Sequence, residues 1–248
     1  MRGLLFCFCL VMVPIPEAAG AVKTEMVRFK SGPETVGGYL ALPISPGRHP
    51  ALVVIQEWWG LNGWVKEQAR EFAEQGYVAL APDLYRGQVA TDPERARELM
   101  LSMPKDRALR DLEAAFDYLA ARSDVNSNKI GAIGWCMGGG LSVQLAIHEP
   151  RLAACVVNYG VLPTDPALIH KIRAPVLGNF GAEDRGIPPA AVHAFEKAMK
   201  SEGKRFDAKI YEGAGHAFEN PNNKGGYRPE AARDARARTL AFFAENLK

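Results

Sequence analysis

Cysteine is scarce in this chain, four in 248 residues. There is no C-x-x-C and no metal-ligand spacing to a histidine, which argues against a metal site. Cys7 and Cys9 belong to the extreme N-terminus, leaving Cys136 and Cys155 for the folded part. Cys155 lies inside an apolar strand and Cys136 beyond the end of its own. The two are therefore expected at different heights in a sheet, without a disulfide between them. Charge of one sign is also missing. The net charge is +2, with Lys and Arg scattered among acids and no basic stripe, so nucleic acid is excluded as a partner. No internal repeat and no second domain are visible.

Long hydrophobic runs are absent as well. The longest, residues 4–13, is too short to span a bilayer as a stable helix. It follows Met1-Arg2 and precedes Pro14, Pro16 and the small residues Ala18-Ala19-Gly20-Ala21. A basic start, a short apolar core and an A-x-A site make a signal peptide, with cleavage expected before Val22. Residues 1–21 are thus assigned to export into the periplasm or the medium. A retained membrane anchor is the competing reading, and no stable membrane insertion is expected after cleavage. Residues 22–248 form a single domain, long enough at 48% hydrophobic and 23% charged for one full α/β core.

The mature chain opens with a hairpin pattern, residues 26–30 and 36–42. Continuous apolar strands follow at 51–55, 77–81, 130–133, 153–157 and 176–180, and a last one at 206–211. Helical patterns lie between them at 65–74 (with Asn62 as its cap), 106–121, from Leu141 onward, 189–200 and 229–247, besides a polar helix-prone stretch at 92–103. Strands alternating with helices predict a mostly parallel sheet covered on both faces. In such sheets ligands bind at the C-terminal ends of the strands. Glu57, Arg86, Cys136, Asp184 and His216 all fall just past such ends.

Gly134-Trp135-Cys136-Met137-Gly138 sits between a strand and a helical pattern. It has the form G-x-S-x-G of a nucleophile elbow, with cysteine for serine. The turn is tight, hence the flanking glycines. A helix N-terminus beneath the sulfur favours thiolate over thiol. The order nucleophile, acid, histidine is the one α/β-hydrolases use, and here it is Cys136, Asp184, His216, with Glu183 as a rival acid. His216 stands on a loop between Gly215 and Ala217. The other histidines, His49, His148, His170 and His193, lie in linkers or helical segments and read as surface residues. An oxyanion would find the backbone N–H of Met137 after the nucleophile, and that of Trp58 in the loop after the third strand.

These pieces together resemble the dienelactone hydrolase family of α/β-hydrolases. The matching stretches are Gln56-Glu57-Trp58-Trp59-Gly60-Leu61-Asn62, Pro82-Asp83-Leu84-Tyr85-Arg86-Gly87, Gly134-Trp135-Cys136-Met137-Gly138-Gly139, Glu183-Asp184 and Gly215-His216-Ala217-Phe218. The resemblance implies an α/β-hydrolase fold with about eight strands. It implies Cys136 as nucleophile, His216 as base, Asp184 as the acid orienting it, and Glu57 as a carboxylate that contacts the resting thiol and helps switch it to thiolate. Arg86 would hold a substrate carboxylate, with Tyr85 and Trp59 beside the substrate. No cofactor or metal is implied. The best-known members carry a second arginine four residues past the histidine, where this chain has Asn220; Arg228 is a nearby cation that could substitute. The expected protein is an exported, monomeric cysteine-dependent hydrolase of small-molecule esters or lactones, working through a thioester. A non-catalytic binding or carrier protein on the same scaffold is the alternative. A thiol redox protein is disfavoured by the lack of a resolving cysteine near Cys136.

Overall fold

The computed structural model describes residues 22–248; the signal peptide expected at 1–21 lies outside them. Eight strands form one sheet in the order β1-β2-β4-β3-β5-β6-β7-β8. β1 (Val22–Ser31) and β2 (Glu34–Pro43) make the expected hairpin, and β2 runs antiparallel to β4 (Val78–Pro82). From β4 onward all pairings are parallel: β3 (His49–Ile55), β5 (Val125–Trp135), β6 (Ala154–Asn158), β7 (Val176–Gly181) and β8 (Phe206–Tyr211). Parallel central strands are buried on both faces, which is why β4 and β6 are apolar almost throughout. Edge strand β8 instead alternates, exposing Asp207 and Lys209, charges that discourage pairing with another chain.

Two apolar layers sandwich the sheet, and β3 shows how. Val53 and Ile55 enter one core with Leu112 and Phe116 of α3 (Lys105–Ala120). Leu52 and Val54 enter the other with Phe72 of α1 (Gly63–Glu74) and Phe243 of α7 (Pro229–Leu247). Asn62 caps α1 by accepting from the Val65 N–H at 3.1 Å, as its position predicts. α2 (Pro93–Ser102) is capped in the same way by Asp92, and α6 (Pro189–Ser201) begins at a proline. A one-turn helix, α5 (Pro166–Ile169), escapes the apolar pattern.

The largest departure from the sequence pattern is at α4, which runs Met137–His148 and so begins four residues before Leu141. Its first turn holds Gly138, Gly139 and Gly140, poor helix formers that hide the start of the helix. Packing requires them. A Cβ on Gly138 would stand 2.4 Å from the Ile55 carbonyl oxygen, and one on Gly134 2.0 Å from that of Gly138. Both contacts are with backbone that has nowhere to move. The glycines let α4 press onto the ends of β3 and β6, and so fix where Cys136 sits.

Candidate active site

β5 ends at Trp135 and α4 begins at Met137, so the whole reversal is made by Cys136 at φ 55°, ψ −118°. A left-handed conformation in a non-glycine residue costs energy and is held here by its surroundings. The Cys136 N–H donates to the Asn158 carbonyl at 3.0 Å, and its carbonyl accepts from Gly140 at 3.2 Å. Asn158 is itself locked in the sheet, donating to the Gly134 carbonyl and accepting from Asn179 at 2.8 Å. The thiol therefore stands, half-buried, at the N-terminus of a twelve-residue helix. Cys155 is fully buried in β6, paired with Ala132 four residues before Cys136, and both cysteines are free.

Asp184 and His216 come from loops after β7 and β8. The His216 Nδ1–H donates to Asp184 Oδ2 at 2.7 Å, which leaves Nε2 to face Cys136. Asp184 Oδ1 accepts from the N–H groups of Gly186 at 2.8 Å and Ile187 at 3.0 Å. Burial alone would raise the Asp184 carboxyl; the His216 bond and these backbone donors outweigh it and hold the group below the ordinary carboxylate range. Glu183 is exposed and makes no such contact, so the choice of acid falls to Asp184. For His216, burial opposes a charge, but its bonds to Asp184 and Cys136 push the ring up to about 10. The ring is well placed to hold a proton opposite a thiolate.

Glu57 is buried beside this pair, 1% exposed. Desolvation pushes its carboxyl up to about 7, against the opposing pull of a hydrogen bond from Asn220, the charge of His216 and the Tyr159 hydroxyl. Asn220 Nδ2 donates to Glu57 Oε2 at 2.7 Å, while Oε1 has no partner. The expected contact between Glu57 and the resting thiol is thus replaced by one with Asn220. A neutral amide stands where a second arginine was sought, so the carboxyl receives a hydrogen bond there and no charge beyond that of His216.

Two cavities meet at Cys136 and His216. One, about 600 Å³, is lined by Glu57, Trp58, Trp59 and the loop after His216 as far as Lys224. The other, about 770 Å³, passes between α2, α3 and α4 and includes Met137 and Tyr159. Glu57, Trp58, Trp59, Cys136, Met137 and His216 are therefore gathered in one place, with Asp184 behind His216. Tyr85 and Arg86 line neither cavity. Tyr85 is 3% exposed, yet its hydroxyl donates to the Met137 sulfur at 3.3 Å, and burial and then the charge of nearby Cys136 raise the phenol. Arg86 is turned to the fully buried Asp111, with Nη1 2.7 Å from Oδ2, and to Glu34 at 2.6 Å. A buried carboxylate must be paired, and Arg86 pairs this one, so in this structure its guanidinium is engaged by Asp111 and Glu34 rather than turned to a cavity. Arg228 is likewise engaged elsewhere, donating to the Gly213 carbonyl at 2.7 Å.

Tyr159 is the site residue that sequence reasoning passed over. Its ring lies edge-on to His216 at 5.2 Å between centroids. It stands just past the end of β6, where the rule used for the other site residues also applies, and it has positive φ of 39°.

Sheet order, the strained elbow and an aspartate–histidine pair on the last two strand ends define an α/β-hydrolase. Solved structures agree on the fold: a dienelactone hydrolase-like promiscuous phosphotriesterase from metagenomic libraries matches with TM-score 0.85 and 26% identity, over 92% of this chain and 100% of that one. Within the class, the chain belongs to the dienelactone hydrolase family, whose sequence model matches residues 36–247. It is 33% identical over 243 residues to a Methylorubrum extorquens protein named "Putative carboxymethylenebutenolidase", covering 92% of this chain and 83% of that protein. It is 34% identical over 230 residues to "Protein usf" of Aquifex pyrophilus, covering 90% and 99%. The protein is a hydrolase acting on esters or lactones. Among the described residues, no helix is long and apolar enough to cross a membrane.

Proposed function

We propose that this chain hydrolyses carboxylic esters or lactones through a thioester on Cys136. His216 takes the thiol proton and the sulfur attacks the carbonyl carbon. The carbonyl oxygen becomes an oxyanion, received by the N–H groups of Met137 and Trp58. Met137 is the first residue of α4, so its N–H has no acceptor within the helix. Each such donor contributes about 3 kcal/mol to the transition state. Collapse of the tetrahedral adduct breaks the C–O bond, and imidazolium His216 protonates the leaving oxygen. Water then attacks the thioester, with His216 accepting its proton. The acid leaves and the thiol is restored. Asp184 fixes the ring's tautomer and stabilises its charge throughout.

Glu57 is assigned the switching role. In its ionised form this buried carboxyl, whose pKa lies near neutrality, stabilises the imidazolium that forms as His216 takes the thiol's proton, and so favours the thiolate. Export, argued from residues 1–21 alone, and action as a monomer complete the reading.

The observation that carries the proposal is the strained Cys136 elbow, with a 2.7 Å aspartate–histidine pair facing the same cavity. The test is hydrolysis of p-nitrophenyl acetate and of a dienelactone by wild type and Cys136→Ala. The variant should retain its circular dichroism and melting transition and lose at least about 10⁴-fold in kcat. Mass spectrometry of wild type with a slow ester should find one acyl group on Cys136. Turnover by Cys136→Ala at the wild-type rate would refute the thioester route.

A further inference from the structure

We propose that the larger cavity is an acyl-chain groove, and that the preferred substrates are esters of medium-length hydrocarbon acids. The inference rests on the ester-hydrolase reading and adds the substrate class. The two cavities that share Cys136 and His216 differ in chemistry. On the side of the His216 loop Glu57, Asn220, Asn222, Asn223 and Lys224 share the walls with Trp58, Trp59 and Met100. On the other side Met100, Leu101 and Met103 of the α2–α3 corner face Leu141 of α4 and Val161 of the loop after β6, with Leu109 of α3 between them. Lys105, Asp106, Gln144 and Tyr159 are the polar side chains along that side beyond Cys136 and His216.

Single exposed apolar residues need no explanation. Here Leu101, 68% exposed, and Val161, 69% exposed, are the two most exposed of five exposed large apolar side chains among the described residues. Both line the larger of the two cavities that reach the thiol. Apolar lips over an apolar trough are what a hydrocarbon chain needs to leave water along its length. Arg86, the cation that would select a carboxylated acyl group, is held by Asp111 and Glu34. The leaving oxygen must be protonated by His216, and the chain directly after His216 builds the smaller cavity, so the alcohol portion lies there. The acyl portion, which stays on Cys136, takes the groove along α4.

The experiment is a chain-length series at constant leaving group: p-nitrophenyl acetate, butyrate, hexanoate and octanoate, each below its solubility limit. The companion series is the acetates of methyl, butyl and hexyl alcohol. Enzymes are wild type, Leu101→Asp and Val161→Asp, exposed positions whose change leaves the core alone. In wild type, kcat/KM should rise roughly two- to fourfold per methylene, so that hexanoate exceeds acetate by at least roughly 15-fold. The alcohol series should be flat. Each variant should lose most of the slope. A flat or falling acyl series with active acetate hydrolysis would overturn the groove and leave the hydrolase reading standing. So would a slope on the alcohol side, or a slope unchanged in both variants. Silence on every ester would remove the hydrolase reading, and this inference with it.

Discussion

Replacing Glu57 by glutamine should make the protein more stable and less active, and the stability gain should depend on pH. The side chain is 1% exposed and has no cationic partner beyond His216, so its ionised form is disfavoured and its pKa rises from 4.5 to about 7. Below about pH 4.5 the carboxyl is neutral in folded and unfolded chains alike. Between 4.5 and 7 the unfolded chain gives up its proton while the folded one keeps it, so folding becomes less favourable as pH rises. Above 7 the penalty is constant, about 3 kcal/mol at about 1.4 kcal/mol per pH unit. Glutamine has the same shape, can still accept from Asn220, and does not ionise. Relative to wild type, Glu57→Gln should therefore gain about 2.5 kcal/mol between pH 5 and pH 8.5. Glu219, another buried carboxyl pushed up to about 8, is present in both proteins and largely cancels, apart from its repulsion of Glu57. Urea unfolding at the two pH values measures the effect as a shift in midpoint at constant slope. The same variant should lose roughly 10²-fold in kcat, because a neutral amide cannot stabilise the imidazolium that forms as His216 takes the thiol's proton. A stability difference that is identical at pH 5 and 8.5 would refute the claim that Glu57 is a neutral buried acid poised near pH 7.

Asp184→Asn should keep the fold and lose roughly 10³- to 10⁴-fold in kcat, since an amide can present its N–H to His216 and favour the wrong tautomer; steady-state kinetics with a melting curve separate the two effects. Arg86→Ala should be a stability variant. It strands the fully buried Asp111 with little beyond the Ser31 hydroxyl at 2.6 Å. It should cost about 3–5 kcal/mol in unfolding free energy and leave kcat/KM on a neutral ester within about threefold. A rise in KM without loss of stability would return Arg86 to the substrate.

Much of the architecture could be read from periodicity because parallel strands buried on both faces stand out as short apolar runs. The ranges expected for β7, β8, α6 and α7 lie within about a residue of those observed. β5 was harder to delimit, since its first half, Val125-Asn126-Ser127-Asn128, is polar and partly exposed at the sheet margin. The start of α4 was hidden for the opposite reason. Its glycines serve contacts with β3 and β6, and a contact between distant segments leaves no periodic trace. Cys136, Asp184 and His216 were legible because their order and their places past strand ends are local facts, and the fold then does the rest.

Charge partners are a different matter. An arginine just past a strand end looks the same in sequence whether it faces a ligand or a buried acid. The deciding information lay 25 residues on, in α3, where Ala108, Asp111, Leu112 and Ala115 share the buried face. A carboxylate within such a stripe cannot remain unpaired, because an isolated buried charge costs more than folding can spare. Asp111 therefore called for a cation from somewhere above α3, and few were available. Asn220 follows the same logic in reverse. With no cation supplied to Glu57, the carboxyl is left to titrate near neutrality, and the site trades a fixed countercharge for a movable proton. With Arg86 held by Asp111 and Glu34, a neutral amide where a second arginine was sought, and the exposed Lys105 set beside Asp106 among apolar walls, the site suits an uncharged acyl chain better than a carboxylate.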